Sequence, residues 1–133
     1  MKLLPLLFAL SGAAQAAVLV IGHANVPKLD PATVQKIFTG KAIEVAGVAV
    51  TPVNASPGNG ARGRFLQTYL NQDEEKYTAY WTVRRYIGKG APPKELASAA
   101  DVIAYVQANP GSVGYIEEGD LKPGLSLNVL ARK

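Results

Sequence analysis

The tightest constraint on the fold is one transition in the middle of the chain. The apolar run at residues 48–53 ends in Asn54-Ala55-Ser56-Pro57-Gly58-Asn59-Gly60-Ala61-Arg62, after which Phe65, Leu66, Tyr69 and Leu70 recur at helical spacing. A strand that passes through a glycine loop into a helix presents first-turn N–H groups at the turn. With an arginine beside them, such groups suit a small anion. Ser56, Gly58, Asn59, Gly60, Ala61 and Arg62 are therefore the candidate ligand residues, with Arg62 supplying charge and the backbone supplying further donors. The bland reading of the same residues is a turn whose arginines are solvated, and local sequence weighs the two equally.

The remaining chain repeats the alternation of strand and helix. Residues 18–22 are continuously apolar and predict a buried strand. Asp30-Pro31 is a helix start, with an acidic N-cap and proline at the first helical position, and Gly40 is its stop. Val34, Ile37 and Phe38 share one face of that helix. Residues 43–47 turn the chain into the strand at 48–53. A further helix begins near Asn71, carries Asp73, Glu74 and Glu75 in its first turn and runs to Ile87 before Gly88-Lys89-Gly90. Ser98-Ala99-Ala100-Asp101 resembles a capping box and opens the last helix, which Asn109-Pro110-Gly111 ends. Residues 113–116 and 127–130 predict two more strands. The pattern gives an α/β sandwich with a parallel or mixed sheet.

Composition excludes several kinds of chemistry. The chain has no cysteine and one histidine, so thiol catalysis and Cys- or His-built metal sites are not expected. No Ser-His-Asp arrangement is visible, and neither a catalytic residue nor a cofactor is expected. Lys2, the apolar residues 3–10 and Ala14-Gln15-Ala16 form a secretory signal, so residues 1–16 are expected to be removed and 17–133 to form one domain in the periplasm. No later run is long enough to insert in a membrane. Loss of Lys2 lowers the formal charge by one from the +4 of the whole chain, too little for a nucleic-acid footprint. Gly58-Asn59-Gly60-Ala61-Arg62-Gly63 also spells G-x-G-x-x-G. A dinucleotide site would want an acid about 20 residues on, and residues 78–85 contain none.

Taken in order, four stretches resemble the periplasmic substrate-binding proteins of phosphate ABC transporters, in particular short relatives with one lobe. They are Val34-Gln35-Lys36-Ile37-Phe38-Thr39-Gly40-Lys41, Pro52-Val53-Asn54, Gly58-Asn59-Gly60-Ala61-Arg62-Gly63-Arg64-Phe65, and Asn109-Pro110-Gly111-Ser112-Val113-Gly114-Tyr115. Tyr80-Trp81 through Pro92-Pro93 adds to the likeness. The resemblance implies a single three-layer α/β lobe of the type II periplasmic-binding-protein-like fold, a mixed sheet flanked by helices. It also implies a non-enzymatic solute-binding role, with phosphate or a similar oxyanion as ligand and an ABC transporter as partner. The family's Ser-Gly-Thr cluster falls on Asn59-Gly60-Ala61, and its phosphate-binding Arg and Asp fall on Ala55 and Pro57. Both hydroxyls are thus replaced, and one lobe leaves half of a cleft, so the resemblance implies either weak binding of the anion or a cleft completed by a second copy or another protein. The alternative is an interaction or assembly protein that uses the lobe as a scaffold without a ligand.

Overall fold

The computed structural model describes residues 16–133; the expected signal at 1–16 lies outside them except for Ala16. Five strands form the main sheet, in the order β5-β4-β6-β1-β7. They are β1 (Val18–His23), β4 (Thr51–Ala55), β5 (Lys94–Leu96), β6 (Ser112–Glu117) and β7 (Leu127–Arg132). β4 runs parallel to both β5 and β6, whereas β1 is antiparallel to both β6 and β7, so the sheet is mixed.

The helices are α1 (Pro31–Phe38), α2 (Gly60–Phe65), α3 (Glu74–Tyr86) and α4 (Ala99–Ala108). α2 passes without a break into a π turn, Leu66–Leu70. Alternation along β1 sets the layers. Val18 and Val20 face a core built with α1, α2 and α3, while Leu19 and Ile21 face a smaller core under α4. Both faces of the strand are buried, which explains its uninterrupted apolar sequence. In the larger core Phe65 and Tyr115 stack with ring centroids 3.9 Å apart, and Phe38 meets Phe65 edge-on at 4.7 Å. Such aromatic pairs contribute about 0.5–1.5 kcal/mol beyond their buried area.

The predicted helix starts hold. Asp30 Oδ1 accepts from Thr33 N at 2.7 Å, and Ser98 Oγ accepts from Asp101 N at 3.1 Å. Gly40 follows the α1 cap at φ +75°, a conformation that would strain a side chain. Elsewhere the boundaries differ. The strand expected at 48–53 is split into β3 (Val48–Ala49) and β4, because β3 folds back on β2 (Glu44–Val45) as a hairpin. Ala46 and Gly47, both at positive φ, make the tight turn. Asn71 ends the π turn in the left-handed region instead of opening α3, and Asp73 is the cap of α3, its carboxylate accepting from Lys76 N at 2.8 Å. β5 was not expected from sequence: Lys-Glu-Leu has no β-branched residue, and the strand lies at the sheet edge.

Candidate functional site

The glycine loop connects β4 to α2 as its sequence demands. Ser56 N donates to Leu96 O at 2.9 Å, pinning the loop to β5, and Asn59 N donates to Ser56 O at 3.1 Å. Asn59 caps α2: its Oδ1 accepts from Ala61 N at 2.9 Å, and its Nδ2 donates to Ala97 O at 3.2 Å, beside the start of α4. The N-termini of α2 and α4 are thereby drawn together.

Both open on one cavity of about 550 Å³. Asn59, Gly60 and Ala61 line one side, Ser98 and Ala99 a second, and Glu117 and Asp120 a third. The two helix ends favour negative charge, and the two carboxylates oppose it. Glu117 comes closest: a Cβ built on Gly60 would lie 3.4 Å from Glu117 Oε2. Glu117 is itself ion-paired with Arg64.

Of the six residues expected to bind, Asn59, Gly60 and Ala61 reach this cavity, and Ser56 and Gly58 stand outside its lining. Arg62 turns the opposite way. Its side chain is 4% exposed and spans two carboxylates: Nε and Nη2 donate to Glu74 at 2.7 and 2.8 Å, and Nη1 donates to Glu95 Oε2 and Ala55 O, each at 3.0 Å. It also lies over the Tyr77 ring at 5.5 Å. Burial disfavours the charged guanidinium, but the bonds to Glu74 and the nearby carboxylates outweigh it and raise its affinity for the proton. The same bond from Arg62 holds the Glu74 carboxyl below its ordinary range.

A buried hydrogen-bond chain supports the loop from beneath. Tyr77 Oη donates to Phe38 O at 2.8 Å and accepts from Asn54 Nδ2 at 3.0 Å; Tyr115 Oη donates to Asn54 Oδ1 at 2.8 Å and accepts from Ala55 N at 3.0 Å. Asn54, which sequence reasoning left unassigned, satisfies a donor and an acceptor inside the core. Burial raises the Tyr77 and Tyr115 hydroxyls above their ordinary range.

A five-stranded mixed sheet with three helices on one face and one on the other makes a three-layer α/β lobe. Solved structures that share this fold include the following three. One, described as a phosphate ABC transporter substrate-binding protein with bound phosphate from Clostridium perfringens, is 19% identical with a TM-score of 0.63, over 86% of this chain and 45% of that one. An ABC-type phosphate transport receptor from Vibrio cholerae is 14% identical with a TM-score of 0.58, over 86% and 46%. PstS from Borrelia burgdorferi is 17% identical with a TM-score of 0.64, over 87% and 47%. The chain thus spans less than half the length of each, and at these identities the likeness is one of fold. No protein-family model matches the sequence, and no curated protein matches it. No helix among the described residues is long and apolar enough to cross a membrane.

Proposed function

We propose that this chain is a non-enzymatic periplasmic solute-binding module that holds phosphate or a similar oxyanion weakly between the N-termini of α2 and α4. The observation that carries this reading is the convergence of those two helix ends on one cavity, in a fold shared with half of each phosphate-type binding protein. Asn59, Gly60 and Ala61 supply the first wall. Arg62 serves the site indirectly, by anchoring the start of α2 to Glu74, Glu95 and Ala55. Weak affinity follows from the carboxylates of Glu117 and Asp120 in the same cavity and from its openness to water, which screens charge. An ABC transporter, a second copy or a separate lobe would complete the cleft.

A thermal-shift series with phosphate, sulfate and molybdate on residues 17–133 tests this. A dose-dependent rise in melting temperature at millimolar anion is the expected result; a flat response to all three overturns it. The inward commitment of Arg62 and the acidity of the cavity favour a second reading, a ligand-independent assembly scaffold. That reading requires self-association or a protein partner indifferent to anion, measured as solution mass with and without phosphate.

A further inference from the structure

A second cavity, of about 230 Å³, lies on the other side of the loop, away from the helix N-termini. One face of α3 forms its wall through Thr78, Trp81, Thr82 and Arg85, spaced i, i+3, i+4 and i+7. Pro92 and Glu95, on the approach to β5 and on the strand itself, form the facing wall, and Asn54, Arg62 and Tyr77 form the floor. The volume is below the roughly 300–1,000 Å³ usual for drug-sized ligands, which restricts the occupant to a small molecule.

The lining is chemically selective. Tyr77, Trp81 and Pro92 offer flat apolar surfaces. The floor charge of Arg62 is offset by Glu74 and Glu95, and the two threonine hydroxyls are spent internally, Thr78 on Glu74 and Thr82 on Thr78 O. Arg85 is different: its guanidinium has no hydrogen-bond or ion-pair partner among the described residues. Trp81 is 6% exposed and lines the same cavity.

The geometry points to a second ligand site here, one that takes a small aromatic monocarboxylate with its carboxylate on Arg85 and its ring against Trp81 and Pro92. This site is separate from the oxyanion cavity and uses none of its lining residues. A single anionic group matches the single uncommitted cation, and a planar body matches the walls.

Trp81 is the only tryptophan of the chain, so its emission reports directly on the site. Benzoate is expected to change that emission saturably, Arg85→Gln to weaken binding about tenfold or more through loss of a charge-assisted bond, and Thr82→Phe to block the cavity. Both substitutions are at exposed helix positions, and circular dichroism checks that each variant folds. Benzylamine is expected to bind far more weakly than benzoate, and phosphate not to compete. An unsaturable response, equal binding by Arg85→Gln, preference for benzylamine, or competition by phosphate overturns the assignment.

Discussion

Arg62 and Glu74 are joined by two parallel hydrogen bonds, Nε and Nη2 of the one meeting both carboxylate oxygens of the other at 2.7 and 2.8 Å. The arginine is buried while the glutamate is 46% exposed, so the pair ties the outer surface of α3 to the interior beneath the glycine loop. This bidentate fit is particular to a guanidinium. Arg62→Ala should destabilise the fold by roughly 2–3 kcal/mol, less than a fully buried pair would cost because both carboxylates can turn to water. Arg62→Lys should recover little of the loss. Urea denaturation of the three proteins checks both statements.

The same pair sets an acid limit. Arg62 depresses the Glu74 pKa in the folded state, so the pair's contribution is complete above the ordinary glutamate value of 4.5. It is lost as pH falls through the lower folded-state value. Stability should therefore decline below about pH 4.5, and Glu74→Gln should flatten that decline while lowering stability at neutral pH. Denaturation midpoints measured in roughly half-unit steps from about pH 3 to pH 7 reveal the difference in slope.

At the alkaline end the sign reverses. Burial pushes the Tyr69 hydroxyl up from 10.0 to about 12 and raises Tyr77 and Tyr115 as well. A hydroxyl whose folded-state pKa is raised stabilises the fold below its unfolded value and loses that contribution as pH climbs toward the folded one. Stability should fall from about pH 10 upward. Tyrosinate absorbance should show Tyr69, Tyr77 and Tyr115 ionising late, together with unfolding.

Tyr115→Phe keeps the ring stack with Phe65 but removes the hydroxyl shared by Asn54 Oδ1 and Ala55 N. Two buried polar groups then lack partners, and the expected cost is about 2 kcal/mol. Hydrogen exchange at Ala55 should accelerate, which a packing defect alone would not confine to that amide.

Glu117→Gln should strengthen the phosphate response, because it removes a carboxylate beside Gly60 while leaving an amide of the same size. Calorimetry with the variant and the unaltered protein compares the two affinities. An unchanged or weaker affinity would place phosphate elsewhere.

Much of the fold is legible wherever local chemistry decides it. Asp30-Pro31 and Ser98 start helices because their side chains cap the nearest free N–H groups, and the buried alternation of β1 follows from its apolar run. The orientation of Arg62 is not legible in the same way. Its partners stand 12 and 33 residues away, and the farther one sits on β5, an edge strand with no sequence signal of its own. The loop could therefore be located from sequence, but the direction its arginine takes is a tertiary outcome. Trp81 and Arg85 carry the complementary lesson: helical spacing puts them on one side of α3, and only the path of the chain through Pro92 to Glu95 makes that side a cavity.

Asn54 and Ala55 are consecutive on β4, and they border different cavities, Asn54 the smaller and Ala55 the larger. Tyr115 holds both, one through its side chain and the other through its amide. One strand thus acts as a partition between two chambers, with a hydroxyl as the rivet. The lone Trp81 stands on the smaller chamber's side of that partition.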